Sequence, residues 1–243
     1  MINEPVHISS DGFQDAWREV VNKLISYHWE LRNLIVHIKN PDLWDQDFHD
    51  RVENFARAQD ILGPKHVAYT IFPHKLYNHK GDAESLFDAY NKTRGLFDRI
   101  KTGWGTYFRR MTYYETINGI VNQLSNIITA INGRERLNKA AYTIVIQNPG
   151  GETTRPRGGP CLNYIAVQAE PAQAGQQMTI GLLAVYRNHD FLERAYGNYW
   201  GLCNLIKFLA KEVDGNPGPL TCVSSHAGVS GKMTALKTFV EGM

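Results

Sequence analysis

The chain has 243 residues, of which 43% are hydrophobic, and its formal net charge is +2. That length supports a single domain with a sizeable core, and the balanced charge without a basic tract argues against a nucleic-acid surface. No apolar stretch reaches the ~18 residues a membrane span needs, so no membrane segment is expected. The opening "MINEPVHISSDGFQDAW" has neither a basic start nor an apolar core, unlike a secretory leader. Cys161, Cys203 and Cys222 are odd in number, widely spaced and form no CxxC pair. A disulfide framework and a zinc site are therefore not expected, and a reducing, cytoplasmic setting is.

The first predicted element is an amphipathic helix in "SSDGFQDAWREVVNKLIS", with Phe13, Trp17, Val20, Val21, Leu24 and Ile25 at helical spacing. "NLIVHIKNP" reads as a strand closed by Asn40-Pro41, and "PDLWDQDFHDRVENFARAQDIL" as a helix. "HVAYTIFP" reads as a second strand and "DAESLFDAYNKTRGLFDRI" as a third helix. "YYETINGIVNQLSNIITAING" reads as one continuous helix, with Ile117, Ile120, Val121, Leu124, Ile127, Ile128 and Ile131 on one side and Gly133 as its stop. Beyond residue 140 the period changes. "AYTIVIQN", "CLNYIAVQAE" and "MTIGLLAVY" are strand-like and separated by Pro/Gly-rich connections. An apolar helix, "NYWGLCNLIKFLAKEV", a last strand, "LTCVSS", and a terminal helix, "GKMTALKTFVEGM", follow. The expected fold is α+β: one domain over residues 1–243, with a mostly antiparallel or mixed sheet and flanking helices. Residues 1–140 form its helix-rich half and 141–243 its strand-rich half.

Cys161 stands directly after Gly-Gly-Pro and directly before an apolar run. A lone cysteine there reads first as a small buried residue. A reactive thiolate needs a positive group beside it. Arg187 follows the next strand-like run, so antiparallel pairing of the two runs brings it beside Cys161. The other chemistry-bearing residues have equally plain readings. Arg187 reads also as a surface charge at a strand end, Asp190 as a turn or helix cap, Asn198 as the N-cap of the apolar helix, and His226 as a hydrogen-bonded histidine. Cys203 and Cys222 fall inside apolar periodic runs and read as core.

Taken together, Pro160-Cys161, then Tyr186-Arg187-x-x-Asp190, then Asn198 near a helix start resembles thymidylate synthase and its pyrimidine hydroxymethylase relatives. His226 in "CVSSHAG" matches the His of that family's His-x-Tyr segment. "NGIVNQLSNIITAING…AYTIVIQNP" and "GWGTYFRR" are similar to segments ahead of its nucleophile. The resemblance spans residues 103–232, with a weaker extension over the first 41. It implies a transferase that adds a methyl or hydroxymethyl group to C5 of a pyrimidine nucleotide, using 5,10-methylenetetrahydrofolate, and a homodimer whose sheets pack face to face. By the same resemblance Cys161 is the nucleophile that adds to C6. Arg187 steadies the thiolate and holds the phosphate. Asn188 takes the place of a phosphate-binding Ser. Asn198 reads the pyrimidine edge with one donor and one acceptor, favouring uracil. Asp190 bonds the pterin and His226 a sugar hydroxyl. No metal is implied. Glu30 and Glu84 are the candidates for the family's catalytic glutamate.

The pattern also departs from the family. Leu162 follows the nucleophile where His or Asn is usual, and Ala166 stands where a Gln is expected, with Gln168 two residues on. A β-bulge would shift that register. Gly228 replaces the Tyr of His-x-Tyr. The partner-supplied Arg pair aligns with Ala140 and Ala141, near Arg134, Arg136 and Lys139, leaving Arg155 and Arg157 as substitutes. The sequence given runs only 17 residues past His226, which favours a hydroxymethyl product over one that needs a closing lid. A homologue that binds nucleotide without turnover is the alternative function.

Overall fold

A computed structural model describes residues 4–97, 104–133, 140–150, 152, 158–171 and 177–243. Strand β1 (Val6–Ser10) leads into helix α1 (Phe13–Ser26), which buries Phe13, Trp17, Val20, Val21 and Leu24. Strand β2 (Glu30–Ile38) follows, then helix α2 (Gln46–Ala58), capped by the Asp45 carboxylate, which accepts from the Phe48 N–H at 2.9 Å. Helices α3 (Pro64–Ile71), α4 (His74–Lys80), α5 (Ala83–Phe97) and α6 (Tyr107–Thr112) come next. Strands β3 (Tyr114–Thr116) and β4 (Gly119–Val121) form a hairpin ahead of helix α7 (Gln123–Asn132). Strands β5 (Tyr142–Val145), β6 (Leu162–Glu170), β7 (Thr179–Tyr186) and β8 (His189–Asp190) lead to helix α8 (Ala195–Glu212), strand β9 (Asn216–Gly228) and helix α9 (Met233–Glu241).

The main sheet runs β1-β2-β9-β7-β6-β5, with β8 paired to β9. The β1–β2, β7–β9 and β8–β9 pairs are parallel, while β2–β9, β6–β7 and β5–β6 are antiparallel. This is the α+β architecture with a mixed sheet and flanking helices. The boundary at residue 140 does not divide the sheet, because β1 and β2 from the first half pair into it beside β9. Strand β1, the short run "VHISS", carries too little pattern to stand out in sequence.

Two expected elements differ. Residues 113–122 are not the start of a long helix. Asn118-Gly119 turns a hairpin, with Gly119 at φ 113°, and Asn122 then caps α7 by accepting from the Ser125 N–H at 3.0 Å. Ile117 fits a helical stripe by spacing alone and is fully exposed at 101%. "HVAYTIFP" lies in a helix rather than a strand. Pro64 opens α3, and Val67, Ala68 and Ile71 bury one helical face. Runs this short and apolar satisfy both periods, and here tertiary packing decides.

That packing is against α8. Helix α8 lies on the sheet through buried residues such as Leu202, Leu205, Ile206 and Leu209, and α3 crosses it where Gly197 and Gly201 leave room. A methyl on Gly201 would stand 2.8 Å from the Ala68 carbonyl oxygen and 2.9 Å from Ile71 Cβ. On the other face of the sheet, Ile35, Val223, Val185, Tyr164 and Val145 stand opposite one another in register across β2, β9, β7, β6 and β5. All five stay partly exposed, Val145 at 42%.

Gly201→Ala is expected to lower stability by about 1–3 kcal/mol through overpacking at the α3–α8 crossing. Urea unfolding checks this; an unchanged midpoint would mean the helices separate freely there.

Candidate active site

Strand directions bring the sequence-predicted residues to one end of the sheet. The start of β6, the end of β7, the end of β9 and the start of β2 coincide there, and β8 and the first turn of α8 follow directly from β7. Cys161 precedes β6 and Arg187 follows β7. Their backbones are joined by the Arg187 N–H donating to the Cys161 carbonyl at 2.9 Å. The Arg187 Nε donates to the Pro160 carbonyl at 3.1 Å. The guanidinium thereby curls around the residues that present the sulfur. Gly158 and Gly159, at φ 72° and 105°, make the tight turn into Pro160.

Cys161 is half-buried, unlike the fully buried Cys203 and Cys222. Burial pushes its thiol up, against the pull of the Arg187 and Arg194 guanidinia, and the Asp190 carboxylate adds to the rise. The free thiol is therefore the resting form at neutral pH. Two of its neighbours were not foreseen. Arg194 immediately precedes α8. Tyr107 begins α6, and its hydroxyl accepts from the N–H groups of Cys161 at 3.3 Å and Leu162 at 3.4 Å. Tyr107 lies within the segment "GWGTYFRR", but nothing there singles out its hydroxyl, and Arg194 at the helix end carries no signal of its own. The α6 segment is fastened to the loop before Cys161 by Arg110, whose NH1 and NH2 donate to the Glu152 carboxylate at 2.9 and 2.5 Å.

Asn198 is not a helix cap. Arg194 occupies that position, and Asn198 lies one turn into α8 at 3% exposure. Its Nδ2 sits 3.1 Å from Nε2 of His189, whose Nδ1 sits 3.0 Å from Ser224 Oγ. Burial pulls the His189 pKa down to about 3, so the ring is neutral. A neutral ring has one N–H, so Nε2 accepts from Asn198 and Nδ1–H donates to Ser224. Tyr186 stacks on the imidazole at 4.1 Å with planes 2° apart. His189 therefore fixes which way the Asn198 amide points, a role that its place in the sequence did not reveal.

The remaining residues form the exposed rim. His226 Nδ1 meets Asn188 Oδ1 at 2.5 Å, and His226 Nε2 meets Glu30 at 3.2 Å. Glu30 also accepts from Arg32 at 2.6 Å. Gly228 lies beneath the His226 ring, and a Cβ there would stand 3.2 Å from His226 Cε1. Asp190 accepts from the Leu192 N–H at 2.9 Å and from Ser230 Oγ at 2.5 Å, which is its turn-capping role. Glu84 lies elsewhere, in a cavity of about 710 Å³ lined also by Asp82, Tyr113 and Glu212. The β6–β7 register shifts between Leu162 and Tyr164, so Asn163 is a bulge residue. That shift is one residue, not two, and leaves exposed Gln168 opposite Gly181, toward the far end of the strand. Arg134, Arg136, Lys139, Arg155 and Arg157 lie outside the described residues. Among the described residues, no group of three or more His, Cys, Asp or Glu side chains is placed to hold a metal.

No protein-family model matches the chain, and no curated protein matches it.

In the unfolded chain His189 takes a proton below pH ~6.5, whereas in the fold it resists protonation until about pH 3. Stability is therefore lost as pH falls from ~6.5 toward 3, by up to about 1.4 kcal/mol per pH unit. His189→Gln keeps a donor and an acceptor but does not titrate. Urea unfolding at pH 6 and pH 5 should show wild type losing roughly 1 kcal/mol more than the variant; equal losses would mean that His189 is accessible to protons in the fold.

Proposed function

We propose that this chain is a thymidylate synthase-like transferase that adds a one-carbon unit, hydroxymethyl or methyl, to C5 of a pyrimidine nucleotide. The observation that carries the reading is the Cys161–Arg187 backbone pair at one end of the sheet, with Asp190 and Asn198 delivered to the same end by β8 and α8. Guanidinium and carboxylate lie close enough to the sulfur to influence its ionisation, and the amide enters the same end of the sheet on the first turns of α8.

In the proposed reaction the Cys161 sulfur adds to C6, and the electrons of the C5–C6 double bond move toward C5 and the C4 carbonyl. C5 then bonds the one-carbon unit. Loss of the C5 proton to a base would expel the carrier nitrogen and leave a methylene on C5; water adding there gives hydroxymethyl, or hydride from the reduced carrier gives methyl, and departure of the sulfur from C6 restores the double bond. 5,10-Methylenetetrahydrofolate supplies the electrophilic carbon when bound. Asp190 suits a pterin N–H because each carboxylate oxygen retains an acceptor position beyond its present bond. Arg187 holds the phosphate and the charged sulfur. Asn198, steadied by His189, reads the base edge. His226 and Asn188 meet the sugar and phosphate, with Glu30 behind His226 as a proton acceptor. Three free thiols suit a cytoplasmic setting.

The expected test result is tritium release from a [5-³H]-labelled pyrimidine nucleotide with methylenetetrahydrofolate, abolished in Cys161→Ser. No release from any nucleotide of a uracil and cytosine panel, beside an active control enzyme, would defeat the reading. A second reading, nucleotide binding without turnover, is favoured by the burial that keeps the Cys161 thiol protonated and by the engagement of Asn198 with His189. Its mark is thermal stabilisation by nucleotide, unchanged in Cys161→Ser, with no tritium released.

The protein acts as a homodimer in this reading. The row Ile35–Val223–Val185–Tyr164–Val145 offers a second copy an apolar sheet face that needs cover. Sedimentation should give about twice the 27.6 kDa chain mass, and Val223→Glu should shift it to the single-chain mass. A monomeric wild type would remove the dimer from the account.

A further inference from the structure

The phenol of Tyr107 lies almost entirely buried against the residue that carries the thiol, at 8% exposure. Its oxygen receives two backbone N–H groups, from Cys161 and Leu162. A phenol oxygen that accepts twice still has its own proton to give. After burial, the Cys161 charge is the strongest influence opposing Tyr107 ionisation, and the phenol is pushed up to about 12. It therefore keeps its proton at any working pH. Tyr186 adds a second observation. It is fully buried, it has no hydrogen-bond partner for its hydroxyl among the described residues, and its ionisation responds to both Tyr107 and Cys161. One phenol thus binds the backbone of Cys161 and a second lies close enough to sense its charge, while the Arg187 guanidinium is held on Pro160.

We propose that Tyr107 is a positioning residue for the Cys161 thiol: its oxygen anchors the two N–H groups at the mouth of β6, and its hydroxyl proton stabilises the sulfur once charged. The bulge at Asn163 follows directly, so the anchor fixes the strand where its register is weakest. Arg187 and Arg194 supply charge, while Tyr107 supplies direction.

This inference rests on the reading that Cys161 is the nucleophile, but its test needs no nucleotide. The rate of Cys161 alkylation by iodoacetamide is measured against pH, with Cys161→Ser to subtract reaction at Cys203 and Cys222. Tyr107→Phe keeps the ring and removes the hydroxyl. Its alkylation profile should move up by about one pH unit, a rate roughly tenfold lower at a fixed pH below the midpoint. Site-specific 3-fluorotyrosine at position 107 is a stronger donor and should move the profile the other way. This second variant decides the matter if Tyr107→Phe fails to fold. Profiles unmoved by either change would overturn the inference while leaving the transferase reading intact. A wild-type Cys161 as inert as Cys203 would overturn both, whereas absent tritium release with shifted profiles would count against the transferase reading alone.

Discussion

One backbone hydrogen bond organises the candidate site. The Arg187 N–H donates a hydrogen bond to the Cys161 carbonyl, closing the β6–β7 ladder at the end where β6 begins and β7 stops. Because the pairing is between main chains, it does not depend on either side chain finding the other. The guanidinium is then held against Pro160, and the sulfur has a fixed cation for a neighbour. Everything else at that end of the sheet is placed relative to this closure: β8 and α8 follow within a few residues of Arg187, and β9 pairs with both β7 and β8.

The closure sets two opposing influences on the sulfur. Half-burial disfavours the thiolate, and two guanidinia favour it. Burial prevails, so the thiol rests protonated. That arrangement protects a cysteine from oxidation more than it advertises one. Deeper in, the Asn198–His189–Ser224 chain is sealed from water, with Tyr186 stacked on its middle member. Its polar groups satisfy one another, as groups at such depth must. The consequence is an amide with a single orientation, which is what discrimination between bases by hydrogen bonding would need.

Much of this was legible before any coordinates. The pairing of Cys161 with Arg187 follows from two strand-like runs, a turn between them and the alternation of antiparallel neighbours. The strands β2, β5, β6 and β7 and the helices α1, α2, α5 and α8 carry patterns long enough to be unambiguous. What failed was short or coincidental. "HVAYTIFP" is apolar at both periods, and only the two glycines of α8 reveal that a helix must cross there. Ile117 and Ile120 extend a helical stripe backward by chance, and the Asn118-Gly119 turn outranks it. Tyr107, Arg194 and His189 were invisible as site residues because their importance lies in what they touch across the fold. His189 in particular occupies an ordinary position between Asn188 and Asp190, and nothing local shows that its ring turns inward to Asn198.

The central claim is that the Cys161 sulfur is directed at C6 of a pyrimidine held by Arg187 and Asn198. A crystal structure after soaking with dUMP or dCMP addresses it most directly. The account predicts a nucleotide whose phosphate meets Arg187, whose base edge meets Asn198, and whose C6 lies in contact with or bonded to the sulfur. Nucleotide bound elsewhere, or bound here with the sulfur turned away from C6, would contradict it.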